Sequence, residues 1–200
     1  VRKFLGALLA AGAAAALLAL PAQAAVQAAD PTQLVQMVTA EARGIAKTRT
    51  GADREAAVRQ LLQTRFDLSY MGSKALGTHW ALASEQQRAR FLAAVETSEA
   101  RAYGERLDTL TGSSVTVRSV VGKPSGAWIV DSSLTSANGQ PIKLEWEVRD
   151  SSQGLRVADL KVSGVSVFMT RRVEFNSYIQ SHGGAVEPLV KALETRAAAR

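Results

Sequence analysis

Apolar residues recur at helical spacing through the first half of the chain and alternate through much of the second. At Asp30-Pro31 a helix starts, with Asp as N-cap and Pro in the first turn. Leu34, Val35, Val38, Ala42 and Ile45 then fall on one face. The turn at Thr50-Gly51-Ala52 ends this helix. Asp53 is the expected cap of a second, with Ala57, Val58, Leu61, Leu62 and Phe66 on one side. Residues 67–71 read as a short irregular or helical connector ending at Gly72 or Gly77. Ser84 and Gln87 make a capping box, which predicts a long helix to about Leu110. Its apolar positions are Phe91, Leu92, Val95, Ala102, Tyr103 and Leu107.

Beyond a loop at residues 111–114 the period changes from 3.6 to 2. Strands are expected at Val115–Val121, Ala127–Leu134 and Ile142–Arg149, with Asn138-Gly139 as a hairpin turn between the last two. Ile142, Leu144, Trp146 and Val148 alternate with Lys143, Glu145, Glu147 and Arg149. After a turn at residues 150–154, Leu155 to Val167 holds one long or two short strands broken near Ser163-Gly164. A helix over residues 170–182 follows, with Val173, Tyr178 and Ile179 inward. Gly183-Gly184 breaks it, and a short helix carrying Pro188 ends near Thr195. Helices grouped before strands predict the α+β class: a twisted antiparallel meander with one apolar face packed on helices.

The first 24 residues have a different character. Two basic residues, an apolar stretch from Phe4 to Leu20 and the Ala22-Gln23-Ala24 box make a secretory signal peptide. The expected mature chain, residues 25–200, is a single domain of 176 residues. Its net charge falls from +6 to +4, and no basic cluster longer than Arg171-Arg172 occurs, so nucleic-acid binding is not expected. No further run of about 18 apolar residues follows, so no later membrane-spanning helix is expected. Export without an anchor points outside the cytoplasm. The alanine- and arginine-rich style points to a bacterial periplasm.

Candidate chemistry is sparse. The chain has no cysteine and only His79 and His182, which leaves no disulfide, no thiol nucleophile and no histidine-rich metal site. No nucleophile-elbow, zinc-protease or phosphate-loop motif occurs. Glu145 and Glu147 alternate onto the solvent face, and Asp159 reads as a turn or ladder-end residue. Asp131 is the carboxylate to check for a pocket enzyme of isomerase or dehydratase type, with Tyr103 or Tyr178 as hydrogen-bond donor. His79-Trp80 reads as an aromatic packed under a loop with His79 exposed, or as the rim of a ligand site. The apolar sheet face, with Val115, Val117, Trp128, Val130, Leu144, Trp146, Val148, Leu160 and Val162 directed at the helices, is either a filled core or a cavity wall. A third reading, a pure interaction module, goes with the filled core.

Several ordered segments resemble the MlaC family, also described as toluene-tolerance auxiliary proteins. They are Phe66-Asp67-Leu68-Ser69-Tyr70-Met71, Ala75 through Trp80, Ser84 through Phe91 with Tyr103 further along, and Val157 through Val167. Arg171-Arg172-Val173-Glu174-Phe175 and then Gly183-Gly184 follow in the same order. Two departures are small: Leu155 stands where the family usually has an aromatic, and Leu160 where Val is common. The hopanoid-associated HpnM branch shares much of the pattern.

The resemblance implies a lipid carrier and no enzyme. It implies that acyl chains lie between sheet and helices while the headgroup stays toward solvent. Lipid would pass between an outer-membrane lipoprotein complex and an inner-membrane ABC transporter with an MCE-type ring, maintaining outer-membrane lipid asymmetry. No cofactor is implied. The expected lipid-lining set joins Phe91, Val95 and Tyr103 of the long helix to the sheet residues Val115, Val117, Trp128, Val130, Leu144, Trp146, Val148, Leu160 and Val162. Arg171 and Arg172 meet a phosphate or partner, or simply start a solvated helix. Gly72, Gly77 and Gly112 are the expected flexible points for opening.

Overall fold

The computed structural model describes residues 27–136 and 139–199, so the expected leader and Asn138 lie outside the described residues. The chain runs through α1 (Pro31–Thr48), α2 (Gly51–Arg65), α3 (Leu68–Leu76), the single turn α4 (His79–Leu82), α5 (Glu85–Arg106) and a 3₁₀ turn (Leu107–Leu110). Strands β1 (Ser114–Gly122), β2 (Trp128–Thr135), β3 (Pro141–Ser151), β4 (Gly154–Val162) and β5 (Val165–Ser166) follow, then α6 (Val167–Ser181) and α7 (Glu187–Ala198). The strands pair antiparallel in chain order, β1-β2-β3-β4-β5. This is the α+β meander that the change of period predicts.

Local chemistry sets the helix ends. The Asp30 side chain accepts the Gln33 amide at 2.8 Å. Both arms of the Ser84–Gln87 capping box form, at 3.1 and 2.9 Å. The second helix starts earlier than expected, with Thr50 as its N-cap, and Asp53 sits in its first turn, where a carboxylate suits the helix dipole. The connector is a helix, α3, because the Asp67 side chain accepts the Tyr70 amide at 2.9 Å. It ends at Gly77, whose φ of +57° favours glycine. Gly72 is no flexible point: it lies inside α3, and a Cβ there would stand 2.4 Å from Leu92 Cδ2, so the missing side chain lets α3 and α5 cross closely. Helix α6 begins three residues early because Ser166 caps it, accepting the Met169 amide at 3.2 Å. Its inward residues are Phe175 and Ile179; Val173 faces outward, 65% exposed.

The apolar interior is split in three. One cluster packs Leu34, Val35 and Val38 of α1 on Val130, Leu144, Trp146, Val148 and Val157 of the sheet. A second joins α1, α2 and α5 through Ala42, Val58, Leu61, Leu62 and Ala100. A third joins α3, α5, α6 and α7 through Leu76, Phe91, Phe175, Ile179 and Val190. A domain of this size usually has one contiguous core. Helix α5 packs on α2 and α7 rather than on the sheet.

One bulge matters for the face each residue shows. Ala158 is the extra residue in β4, so Val148 pairs with Val157 while Trp146 pairs with Leu160 and Glu147 with Asp159. Leu160 therefore shares a face with Trp146. Across β2 and β3 the Trp146 Nε1 donates to the Ser132 hydroxyl at 2.9 Å, wholly inside the protein. Replacing Ser132 by Ala strands that buried donor. Urea unfolding of Ser132→Ala should show a loss of about 1–3 kcal/mol with an unchanged slope.

Candidate functional site

Where the three clusters fail to merge there is a cavity of about 220 Å³. Close-packed interiors hold few voids larger than a water, for which roughly 10–15 Å³ suffices, so this space is a feature of the fold and not a packing defect. Helix α5 supplies one wall. Phe91, Val95, Glu99 and Tyr103 recur every fourth residue and form a stripe along it. Val38 and Ala42 of α1 and Val58, Leu61 and Leu62 of α2 close a second side. Met71, Gly72 and Ala75 of α3, with Phe168, Arg171 and Phe175 of α6, close a third. From the sheet come Trp146 and Leu160, which pair across β3 and β4.

The expected set divides accordingly. Phe91, Val95, Tyr103, Trp146 and Leu160 line the cavity together. Val130, Leu144 and Val148 are buried in the cluster beneath α1, and Val117 and Trp128 are half-buried against the same cluster. Val115 is half-buried on β1, and Val162 is 40% exposed at the end of β4. These seven do not reach the cavity. Alternation identified the inward face of the sheet, but α1 covers most of that face. Period-2 logic carries no information about where a helix will lie. Most of the lining is helical, including Leu62, Met71, Leu92 and Phe168, residues that spacing marks only as apolar faces or not at all.

Polar groups gather at one part of the wall. Arg171 of α6 donates from Nε to Glu99 Oε1 of α5 at 2.8 Å and from Nη1 to Glu174 Oε2 at 2.8 Å. Glu96 accepts from Gln63 Nε2 at 2.8 Å and lies 3.8 Å from Arg59. The sequence singles out Arg171 but not Glu99, although Glu99 interrupts an otherwise apolar stripe of α5. Burial against the α1–α2–α5 cluster, with Glu99 close by, pushes the Tyr103 hydroxyl up to about 12.

Other candidates lie elsewhere. Glu145 and Glu147 are on the outer face beside Lys143 and Arg149, at 3.3 and 3.2 Å. Asp131 is also on that face, 3.5 Å from Lys143, and does not reach the cavity. Asp159 is no turn residue: it lies within β4, buried against the start of α6, where burial raises its pKa and hydrogen bonds from the Ser166 hydroxyl and the Leu160 and Phe168 amides oppose the rise. His79 is buried and not exposed, with Nε2 3.1 Å from Asn176 Oδ1, and Trp80 packs on the third cluster under Arg88. Arg172 lies over Gly77. Among the described residues there is no group of acidic, histidine or cysteine side chains fit to hold a metal, and no helix long and apolar enough to cross a membrane.

Comparison with known proteins bears on this cavity. A family model described as MlaC protein matches residues 20–195. Among solved structures, the chain is similar to a phospholipid-binding protein from Ralstonia solanacearum, solved in complex with a phospholipid. The TM-score is 0.72 at 23% identity, over 85% of this chain and 98% of that one. No curated protein sequence matches.

The Tyr103 environment gives a direct check on the wall. A raised folded-state pKa means that Tyr103 favours the folded state below the ordinary tyrosine pKa, and that this contribution is lost as pH rises from 10 toward 12. Ultraviolet titration of the native protein should show a tyrosine ionising near pH 12, and Tyr103→Phe should remove that step.

Proposed function

The chain belongs to the MlaC family, and we propose that it carries phospholipid, burying acyl chains in the cavity between α5 and the sheet. The observation that supports this most is the lining: apolar side chains from five helices and two strands, with charge confined to Glu96, Glu99 and Arg171. The likeness to a protein solved with phospholipid points the same way. The finer reading follows the family. The mature protein works in the periplasm and moves lipid between an outer-membrane lipoprotein complex and an inner-membrane ABC transporter with an MCE-type ring, in support of outer-membrane lipid asymmetry.

Transfer free energy explains why such a carrier is needed. Each exposed CH₂ costs about 0.8 kcal/mol, so one sixteen-carbon tail in water costs roughly 12 kcal/mol. A protein that replaces water by apolar wall removes that barrier without spanning a membrane. Enzymatic use of the same wall is disfavoured by its electrostatics. Glu99 accepts two donors of Arg171, so the carboxylate nearest the cavity is engaged in an ion pair and not free for a ligand.

The volume carries a further implication. Pockets for drug-sized ligands run about 300–1,000 Å³, and this one measures about 220 Å³. Two full acyl chains therefore require the walls to part. The place for this is between α5 and the sheet, which do not pack on each other, with the Arg171–Glu99 pair tying α5 to α6 across the gap at 2.7 Å. The phosphate of an incoming lipid competes with Glu99 for Arg171, which couples loading to release of that tie.

Native mass spectrometry of the purified protein should show an adduct of phospholipid mass. Val95→Trp, which fills the cavity from α5, should fold normally and carry severalfold less lipid. A protein that copurifies clean and takes no lipid from vesicles refutes the reading, and a hopanoid mass moves it to that branch. Opening is tested separately. The chain lacks cysteine, so spin labels on Ala93→Cys and Ser119→Cys report only α5 against β1. Their mean distance should lengthen on loading; one fixed distance with and without lipid rules the opening out.

A further inference from the structure

A second pocket lies on the far side of the Phe66–Leu68 segment from the cavity, since both are lined by Phe66 and Leu68. That segment is fixed to the sheet by the Asp67 amide, which donates to the Val157 carbonyl at 2.9 Å. The pocket is polar and measures about 460 Å³. At its base stands Arg156 of β4, only 7% exposed.

Among the described residues no carboxylate lies within ion-pair distance of Arg156. Its Nη1 donates to the Leu155 carbonyl at 3.0 Å and reaches Gln27 Oε1 at 3.4 Å; its Nη2 reaches Gln153 Oε1 at 3.4 Å. Its Nε is buried and makes no hydrogen bond. Arginine is almost never this buried without a counter-charge. The neighbouring arginine does not relieve it. Arg65 is held by Glu41, with Nε 3.1 Å from Oε1; burial lowers the Arg156 pKa, the Arg65 charge adds to this and Asp67 opposes it. The Asp67 carboxylate on the pocket wall is turned to the Tyr70 amide at 2.9 Å.

The remainder of the wall is rich in donors. Ser69 and Ser152 bring hydroxyls. Leu68 and Ser69 are the first two residues of α3, whose opening amides have no acceptor inside the helix and whose dipole favours negative charge. A planar five-donor fork hydrogen-bonded only to neutral acceptors, an orphaned Nε and the Ser69 and Ser152 hydroxyls leave more donors around the pocket than the one carboxylate there, Asp67, takes up.

We propose that Arg156, with Ser69, Ser152 and the first turn of α3, forms a binding site for a tetrahedral oxyanion of the phosphate type, separate from the apolar cavity. The anion is either free phosphate or the phosphate of a lipid headgroup folded back over the Phe66–Leu68 segment. The site stands whether or not the cavity carries lipid.

Inorganic phosphate is the first probe, added to delipidated full-length mature protein against chloride at matched ionic strength. Phosphate at ten times its dissociation constant should raise Tm by about 3 °C over chloride. It should also shift the ¹⁵N–¹H resonance of Arg156 Nε and leave that of Arg171 in place. Arg156→Met should lose the Tm response. Should that variant not fold, Ser69→Ala/Ser152→Ala, which alters only exposed residues, should weaken phosphate binding severalfold. Loading with phosphatidylethanolamine and phosphatidylglycerol vesicles then separates the sources. Loss of the phosphate response on loading identifies the headgroup, and its persistence identifies a free anion. A Tm unaffected by phosphate beyond chloride, or a response that moves Arg171 instead of Arg156, overturns the proposal.

Discussion

An apolar space that is walled but left unfilled is the constraint on which the rest of this structure depends. Walls around about 220 Å³ of unfilled apolar space forgo the contacts that a packed core would make there. A chain that keeps such a void must hold the surrounding shell by other means. It does so by packing the shell as three separate clusters, each dense by itself, so that no single helix depends on the empty side. The same cost explains how a ligand is held: apolar chains that occupy the space restore the contacts its walls lack.

Ion pairs between helices complete the shell on its solvent side. Arg90 of α5 grips two carboxylates of α7, Glu187 at 2.9 Å and Glu194 at 2.7 Å. Further along α5, Arg101 donates to the Ala197 carbonyl near the end of α7 at 3.0 Å. Arg54 of α2 reaches Asp108 at 2.9 Å. Exposed pairs of this kind contribute little singly. Their common geometry matters more: they fix α5 to α2 and α7 and leave its opposite face toward the cavity. Hydrogen bonds from Gln87 and Arg90 lower the Glu187 pKa, and those from Arg90 lower that of Glu194, so this clamp weakens as pH falls through the carboxylate range.

The element order, the meander and most helix ends were legible in the sequence because they depend on local chemistry. Asp30, the Ser84–Gln87 box and the uninterrupted alternation from Ile142 to Arg149 each name a conformation within a few residues. The site was legible only where two periods met. Phe91, Val95 and Tyr103 show through helical spacing, and Trp146 and Leu160 through strand parity, with the Ala158 bulge between Val157 and Leu160 keeping both on the inner face. Val130, Leu144 and Val148 are on that face too, yet they serve α1, and nothing in a period-2 pattern says which helix a strand residue meets. Gly72 shows the converse limit. Read along the chain it is a break, whereas its role is set by Leu92, twenty residues away.

Three buried or half-buried arginines show how one residue type can be put to different uses by its surroundings. Arg65 is compensated by Glu41 and ties α2 to α1. Arg171 is compensated twice, by Glu99 and Glu174, at the edge of an apolar space where an unpaired charge would be intolerable. Arg156 alone of the three meets only neutral acceptors, and it does so facing a polar pocket. The cost of burying a guanidinium without an ion pair is offset only in part by the more distant Asp67 carboxylate, and its Nε remains unbonded. Of the two pockets that share the Phe66–Leu68 segment, one is an unfilled apolar space and the other holds an arginine that makes no ion pair. Each deficit specifies the chemistry of what would relieve it, and the two together describe the two ends of an amphiphile.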